Sequence, residues 1–549
     1  MSMMNSEIRP IESLSTRGSG PAYHWPAYDE ALPLAHHDCR LPLALVRRRS
    51  DHAVGLVADP KADDLDGILS DASVDLLGLL PPIYPERLGD PTFRRTHGCR
   101  FAYVVGEMAR GITTPRMVIT AVRHGLLAFH GSAGLSLEVI EEHIEEIRAA
   151  VGDSPSWGAN LIASIDNPAR EMETVELFLR RQVRRVSASA FLKLTPAIVR
   201  MAASGLQRGA DGKVQRRNFV LAKVSRPEVA NAFLSPAPAA MLEDLVRTGH
   251  LSAAEAELAA CIPVASDVTV EADSGGHTDN QALPAIFPVI LRLRDEAARR
   301  LPRSEPVRIG AAGGIGTPAA VAAAFQLGAA YVVTGSINQS AVESGLSDAG
   351  KQMLAQAGVA DVAMAPAADM FELGIKVQVL KRGSIFAARA NKLYELYRRY
   401  GTIETLPAKE LEWLEKQVLR MPVTQAWAET KAYHARRSPA KVARAEGDPG
   451  VRMAMIFRRY LFLCAQWARD GEAERTADFQ IWCGPTMGAF NDWVRGSFLE
   501  KLESRRVAEI GMNLLEGGSV LQRAQQLRNF GIPVAPGTFE YRPRPLTHV

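Results

Sequence analysis

A histidine in a polar, glycine-containing segment is the side chain whose position best suits proton transfer. His277 lies in the segment VEADSGGHTDN, residues 270–280, directly after Gly275 and Gly276. An imidazole exchanges a proton near neutral pH, so His277 could act as a general acid or base. An ordinary surface histidine is the simpler alternative, whereas a core position conflicts with the polar neighbours. We therefore take His277 as the candidate catalytic residue.

Two glycine-rich loops predict a phosphate site. The loop with Gly313 and Gly314 follows an apolar run and opens a helical segment at Thr317 and Pro318, and the loop Gly335-Ser336 follows the next apolar run. Backbone N–H groups approach an anion closely where no Cβ intervenes, and a helix N-terminus adds its dipole. The alternative is that these glycines only shape tight turns. The spacing fits neither a dinucleotide fold nor a P-loop, but it suits the phosphate site after the last two strands of a (β/α)8 barrel.

Three other segments follow apolar runs and carry candidate ligand contacts. Met108, Ala109 and Gly111 lie in GEMARGITTP, where small residues would let a flat ligand approach the backbone. Asn160 offers an amide that could hydrogen-bond a ring, although many such asparagines only cap turns. Lys223 ends an apolar run, and a lysine there is expected to meet an anion.

Apolar runs alternate with helical segments through the first part of the chain. The runs cover residues 101–105, 126–129, 158–162, 186–190, 219–223, 267–270, 307–311 and 331–334. The helical segments between them cover 115–124, 137–151, 169–183, 228–233 and 285–300. This alternation predicts an α/β protein with a parallel (β/α)8 TIM barrel, whose functional residues lie at the carboxyl ends of the strands.

The remaining segments complete the predicted domain organisation. We expect an N-terminal lead-in over 1–98, a barrel over 99–340, a helical subdomain over 341–480, and a C-terminal segment over 481–549 that packs back on the barrel. Within the lead-in, residues 1–35 should be disordered, residues 41–57 should form a hairpin, and the rest up to 98 should be irregular. No strand is expected after Ile337, and residues 438–450 should form an exposed loop. The apolar stripe in residues 392–400 is expected to be core.

Composition narrows the class of protein. The 549 residues are 47% hydrophobic and 23% charged, with a formal net charge of +3, which is typical of a globular protein and gives no nucleic-acid footprint. The five cysteines are scattered without metal-ligand spacing, which indicates a reducing, cytoplasmic location and neither disulfides nor a metal site. The start of the chain has no apolar leader and no long hydrophobic run, so neither secretion nor a membrane span is expected.

Five long segments, in order, resemble one known family. They are GEMARGITTPRMV, VEADSGGHTDN, GAAGGIGTPAAVAAAFQLGAAYVVTGSINQ, FELGIKVQVLKRGSIFAARANKLYELYRRY and DFQIWCGPTMGAFNDWVRGSF. Together they look like the trans-acting enoyl reductases of polyketide and polyunsaturated fatty acid synthases (the PfaD family). That family is related to nitronate monooxygenases and flavin-dependent enoyl-acyl carrier protein reductases. The resemblance covers roughly residues 101–523.

The resemblance implies FMN in the barrel and NADPH as the reductant. It assigns the FMN phosphate to Gly313, Gly314, Gly335 and Ser336, and the isoalloxazine to Met108, Ala109, Gly111, Asn160 and Lys223. Gly275 and Gly276 would also contact the cofactor, beside His277 as the catalytic residue. One departure is Ala128-Phe129-His130-Gly131, where smaller or apolar residues are expected. His130 should either touch the flavin or face solvent, and it receives no role.

The implied substrate is an enoyl chain linked through phosphopantetheine to an acyl carrier protein of a modular polyketide synthase or polyunsaturated fatty acid synthase. The basic pairs at 381–382, 398–399, 436–437 and 458–459 could dock the acidic carrier, although solvated helix surface is the favoured explanation for any single pair. A homodimer is a further expectation. Two alternatives stay open: a nitronate monooxygenase that uses oxygen, and a non-catalytic assembly subunit of a synthase.

Overall fold

The computed structural model describes residues 21–25, 39–164, 167–302, 304–435 and 439–546. The chain forms two compact units: residues 1–84 with 519–541, and residues 85–518 with 542–549. Most of the segment expected to be disordered, residues 1–35, lies outside the described residues. Within the described part of the chain, no helix is both long enough and apolar enough to cross a bilayer.

The strands are numbered in chain order. They are β1 (Leu43–Arg48), β2 (Val54–Ala58), β3 (Val74–Leu80), β4 (Tyr103–Val105), β5 (Leu127–His130), β6 (Trp157–Ile162), β7 (Arg185–Ser189), β8 (Gln207–Arg208), β9 (Val214–Gln215), β10 (Phe219–Val224), β11 (Asp267–Glu271), β12 (Gly276–His277), β13 (Arg308–Ala312), β14 (Val332–Thr334), β15 (Val362–Pro366) and β16 (Lys376–Leu380).

The α-helices are numbered in the same way. They are α1 (Ala62–Ser70), α2 (Pro91–His97), α3 (Pro115–Arg123), α4 (Leu137–Val151), α5 (Pro168–Arg180), α6 (Pro196–Ala203), α7 (Pro227–Phe233), α8 (Ala239–Arg247), α9 (Ala253–Ala259), α10 (Leu283–Arg300), α11 (Pro318–Gln326), α12 (Asp348–Ala355), α13 (Phe386–Tyr400), α14 (Ala408–Trp413), α15 (Val423–Ala435), α16 (Pro439–Gly447), α17 (Pro449–Asp470), α18 (Thr486–Val494) and α19 (Val507–Asn529).

The smaller unit contains an antiparallel sheet of order β2-β1-β3. The predicted hairpin is confirmed, because β1 and β2 pair with Leu45 opposite Leu56. The prediction of an irregular segment up to residue 98 is wrong, since α1, β3 and α2 all lie in it. The prolines at 81, 82 and 85 interrupt the chain only after β3 has ended, so they bound this sheet and do not prevent it.

The larger unit is built on a closed barrel of eight parallel strands, in the order β10-β11-β13-β14-β4-β5-β6-β7. Each of the eight predicted apolar runs overlaps one of these strands, so the (β/α)8 barrel is confirmed. The runs are continuous because the strands are covered on both faces. All eight carboxyl ends open on one end of the barrel.

Local signals start three of the barrel helices; α3 and α11 begin where the sequence predicts a helix, whereas α6 has no counterpart among the predicted segments. The side chains of Thr114, Thr195 and Thr317 each accept a hydrogen bond from a backbone N–H in the first turn, and a proline follows each threonine. Such caps satisfy donors that the helix itself leaves without partners, and proline gives up an N–H that the first turn does not use. The loops between the strand ends and these helices are therefore short and fixed.

The amino ends of the strands are closed by a buried ionic cluster. Asp267 accepts hydrogen bonds from Arg308 Nε at 2.6 Å and Nη2 at 3.0 Å, and its Oδ2 lies 3.1 Å from His97 Nε2. Arg185 Nε in turn lies 3.0 Å from His97 Nδ1. Burial opposes the charge on Asp267, but His97 and Arg308 outweigh burial and hold the pKa of this carboxyl below its usual value.

A mainly helical subdomain follows the barrel, and it also contains strands. Helices α13, α14, α15 and α17 contribute to a core that contains Leu393, Phe371 and Phe457. Helix α16 packs on α17 through Val442 and Met455. Tyr397 packs against Phe371 with ring centroids 5.3 Å apart, so the apolar stripe of residues 392–400 is core, as predicted.

Two sequence predictions about this subdomain are wrong. Strands do occur after Ile337, because β15 and β16 form a small sheet with β12. The expected loop at 438–450 is largely α16, which begins at Pro439. Proline is well tolerated at a first helical position, so here it starts a helix and does not mark a loop.

Candidate active site

A cavity of about 480 Å³ lies at the carboxyl ends of the barrel strands, within the larger unit. A volume of this size suits a cofactor or small ligand. Ten of the predicted site residues line it: Met108, Ala109, Asn160, Lys223, Gly275, Gly276, His277, Gly313, Gly335 and Ser336. Gly111 and Gly314 do not line it; the N–H of Gly111 donates to Gly131 in an adjoining turn, and Gly314 is exposed.

His277 is held in the cavity wall by backbone pairing. It forms the short strand β12 with Gly276, and β12 pairs antiparallel with β16, where His277 lies opposite Val377. Its Nε2 lies 3.1 Å from Oδ1 of Asp369, and its side chain keeps 30% of its surface exposed. Burial would lower the pKa of His277, but Asp369 and then Glu271 raise it, so the pKa lies above the ordinary value. The ring therefore tends to hold a proton near neutral pH.

Asp369 is a site residue that sequence reasoning missed. It lies between β15 and β16, and Arg458 Nη2 donates to its carbonyl oxygen at 3.2 Å. Burial raises the pKa of Asp369, but the adjacent His277 lowers it further, so the group is a carboxylate. The local sequence carries no signal for this role, because the histidine that Asp369 serves lies 92 positions away.

Lys223 meets two carboxylates at the floor of the cavity. Its Nζ lies 2.8 Å from Oε1 of Glu271 and 3.3 Å from Oε1 of Glu107, and its side chain is only 14% exposed. Burial would lower the pKa of Lys223, but the two carboxylates raise it well above its usual value. The anions that Lys223 was expected to meet are therefore carboxylates of the protein itself. Glu107 and Glu271 each follow or end a barrel strand, a position that could have drawn attention to them.

A chain of hydrogen bonds extends this cluster along the strand ends. Ser189 Oγ donates to Glu107 Oε1 at 2.7 Å, and Asn160 Nδ2 donates to Ser189 Oγ at 3.0 Å and to the carbonyl of Ser187 at 3.1 Å. The Asn160 amide, which lies on β6, is thus oriented by two residues of β7. Its position in the cavity wall is fixed before any ligand binds.

The loops after β13 and β14 fit a phosphate-bearing cofactor. Gly313 has φ +84°, and a Cβ there would lie 2.8 Å from the carbonyl carbon of Ala272, so the close approach of these loops requires glycine. A Cβ at Gly335 would meet open space, so its backbone borders the cavity directly. Two buried oxygens in the wall, Ser274 Oγ and Gln339 Oε1, have no hydrogen-bond partner among the residues that the structure describes. Buried polar atoms normally have partners, so these two suit a polar ligand such as the FMN that the resemblance implies.

His130 has neither of the two positions expected for it. It is fully buried, and its Nε2 lies 2.9 Å from Nδ1 of His143. Burial, and to a lesser degree His143, lowers the pKa of His130 to about 3, so the ring is neutral. His130 is therefore packed in the interior of the protein and does not line the cavity.

Comparison with known proteins places this site in a family. A family model described as nitronate monooxygenase matches residues 99–395, more than half of the chain. The chain belongs to the nitronate monooxygenase family. A second model, described as the inserted helical domain of [acyl-carrier-protein] S-malonyltransferase, matches residues 400–479, which contain α14 to α17.

The similar proteins belong to synthase systems. The enoyl reductase domain of MlnA, from the macrolactin biosynthesis cluster of Bacillus amyloliquefaciens, is 36% identical with a TM-score of 0.77, over 80% of this chain and 100% of that domain. The polyketide biosynthesis protein PksE of Bacillus subtilis is 45% identical over 80% of this chain and 57% of PksE. One component of the polyunsaturated fatty acid synthase of Thraustochytrium sp. is 43% identical over 83% of this chain and 31% of that component.

These similarities confirm the resemblance to PfaD-type enoyl reductases. The chain spans only part of the curated relatives, between about a third and just over half of their length.

Proposed function

We propose that this protein is an FMN-dependent enoyl reductase that acts in trans on 2-enoyl thioesters carried by an acyl carrier protein, with NADPH as the reductant. The observation that carries the proposal is the His277–Asp369 pair in the wall of the barrel cavity. Similarity over the whole enoyl reductase domain of MlnA supports this reaction over others of the family. The pathway would be polyketide or polyunsaturated fatty acid biosynthesis.

The cavity residues have complementary roles towards the cofactor. Gly313, Gly335 and Ser336 would hold the phosphate, while Ser274 and Gln339 would offer the polar atoms that lack partners in the described part of the chain. Met108, Ala109 and Asn160 would line the isoalloxazine, and Lys223 would set the charge beside it. When bound, FMN would supply hydride transfer, from NADPH to the β-carbon of the enoyl thioester.

His277 would manage the proton of the reaction. As hydride reaches the β-carbon, negative charge develops on the thioester oxygen and the α-carbon, and saturation is complete once the α-carbon gains a proton. A protonated imidazole can hydrogen-bond that oxygen or deliver that proton. Asp369 would keep the ring protonated and oriented through Nε2, which leaves Nδ1 as the second nitrogen of the ring for exchange.

The partner would be the carrier protein of a synthase. Its phosphopantetheine arm would bring the enoyl chain into the cavity, and a homodimer remains part of the proposal. Of the basic pairs expected at a docking face, Arg382 pairs with Asp361 and Arg458 with Glu372, while residues 436–437 lie outside the described residues. Arg458 and Arg459 line the cavity itself.

Two half-reactions test the proposal. The purified protein should be yellow, anaerobic NADPH should bleach the flavin, and crotonyl thioester on a carrier protein should restore the oxidised spectrum. The family model favours one other candidate, a nitronate monooxygenase. Recovery only with oxygen, together with turnover of nitroalkanes, would select that candidate. Failure to bind flavin even after reconstitution would overturn both, and it would leave a non-catalytic assembly subunit.

A further inference from the structure

Arg110 is a cavity residue to which neither the family resemblance nor the proposed reaction gives a role. It lies in the GEMARG segment after β4 and lines the cavity. Its backbone has φ +62°, the left-handed region that few residues other than glycine adopt. Such conformations concentrate at functional sites, where the surrounding structure holds a side chain in one place.

The side chain of Arg110 is held by an aromatic ring and a carbonyl. Its guanidinium carbon lies 3.7 Å from the ring centroid of Phe462 in α17, and its Nη1 donates to the Phe462 carbonyl oxygen at 2.8 Å. Within the residues that the structure describes, no carboxylate lies at ion-pair distance from Arg110. The guanidinium has five N–H donors in a planar fork, and this arrangement uses one of them.

Several basic side chains share the cavity wall with Arg110. Lys441, Arg458 and Arg459 also line the cavity, and Arg458 forms an ion pair with Glu372 at 3.0 Å. Burial lowers the pKa of Arg110 to about 10; Tyr433 and Asp369 oppose this effect, whereas the guanidinium groups of Arg469 and Arg459 add to it. Arg110 thus keeps its charge at neutral pH in a place where that charge is poorly solvated. A bound anion would relieve this penalty.

We propose that Arg110 binds a phosphate ester on the reactants that enter the cavity. A planar guanidinium matches phosphate oxygens in pairs, and this geometry distinguishes it from a lysine. The inference rests on the proposed function for the identity of the reactants. Both expected reactants carry the group: the enoyl substrate on phosphopantetheine, and NADPH on its ribose and pyrophosphate.

Calorimetric titration of the oxidised holoprotein tests the site without turnover, because no reduction occurs when the reductant is absent. The ligands are crotonyl-phosphopantetheine, crotonyl-pantetheine and NADP⁺. Arg110→Met keeps a long side chain and does not introduce a glycine, but it removes the N–H donors of the guanidinium. The control is Lys409→Met, which removes an equal charge from an exposed position of α14 outside the cavity.

Arg110→Met should weaken one phosphate-bearing ligand by about 10- to 100-fold, the worth of a charged hydrogen bond. If crotonyl-phosphopantetheine binds more weakly and crotonyl-pantetheine binds as before, Arg110 contacts the phosphate of the carrier arm. If NADP⁺ binds more weakly and both thioesters bind as before, Arg110 contacts the nicotinamide cofactor. Three results would overturn the inference: unchanged binding of all three ligands, an equal loss of affinity for both thioesters, or the same losses of affinity in Lys409→Met. Failure of the wild type to reduce crotonyl thioester would count against the proposed function alone, because the titration needs no reaction.

Discussion

His277 Nε2 lies 3.1 Å from Asp369 Oδ1, which joins a barrel loop to a loop of the helical subdomain. The histidine comes from the end of the barrel that opens into the cavity, and the carboxylate comes from the loop between β15 and β16. The state of the proton on His277 therefore depends on a second structural region. This dependence can be measured.

Asp369→Asn should shift the alkaline limb of the pH profile of enoyl reduction to lower pH. The carboxylate raises the pKa of His277 above its ordinary value, so activity that needs the imidazolium persists above that value and falls as pH rises through the folded pKa. Without Asp369, burial and the charge of Lys223 lower the pKa, and only Glu271 still raises it. A shift of about one unit or more is expected, since a nearby charge moves a pKa by 1–3 units.

The control for this shift is Glu372→Gln, which removes a carboxylate three residues away that pairs with Arg458 and not with His277. An unchanged limb in Asp369→Asn would contradict the pairing. An equal shift in both variants would mean that general charge, and not the contact, sets the pKa.

His277→Ala should retain FMN and lose about 10²- to 10⁴-fold in enoyl reduction, the usual contribution of a general acid. Reduction of the flavin by NADPH should proceed at the wild-type rate, because that step needs no proton from His277. Anaerobic stopped-flow absorbance separates the two half-reactions. Unchanged reoxidation by crotonyl thioester would remove His277 from the mechanism.

Gly335→Asp should yield protein without FMN. The φ of Gly335 is negative, at −128°, and a side chain there would enter open space beside the cavity. A carboxylate in that space would repel the phosphate, whereas Gly335→Ala adds only a methyl group and should stay yellow. The ratio of flavin to protein absorbance measures both variants. A Gly335→Asp protein with full flavin content would refute the phosphate assignment.

Asp267→Asn should lower the free energy of unfolding by about 3–5 kcal/mol, the range for breaking a buried ion pair. Arg308 would lose its buried carboxylate partner, and His97 would lose its contact as well. Because the folded pKa of Asp267 is depressed, its stabilisation is present above the ordinary value of about 3.9 and is lost as pH falls through the folded pKa.

Urea unfolding at pH 7 and at acidic pH measures this effect in both proteins. The difference between wild type and Asp267→Asn should shrink on acidification. Asp244→Asn removes a carboxylate from an exposed pair with Arg247, and it should change stability by less than about 1 kcal/mol. A similar loss of stability in both variants would show that the buried cluster stabilises the fold no more than an exposed ion pair does.

The sequence predicts the barrel well because its strands are continuous apolar runs and because some of its helices carry clear start signals, such as Thr114-Pro115 and Thr317-Pro318. It fails at α16 because Pro439 resembles a loop signal although it starts a helix, and at β15 because that strand is only partly buried. The residues of the candidate site likewise divide into those that the sequence reveals and those that only the fold reveals. His277 stands out beside its glycines, whereas Asp369 becomes visible only when the fold brings together residues that are distant in sequence.

The cluster of Asp267, Arg308 and His97 lies at the opposite end of the strands from the cavity. Residues that hold the barrel together are thus physically separate from residues that would contact substrate. Substitutions in the cavity wall can therefore alter ligand binding without weakening this cluster. Such an arrangement favours evolvability, and it makes the cavity loops the natural targets for engineering new substrate ranges.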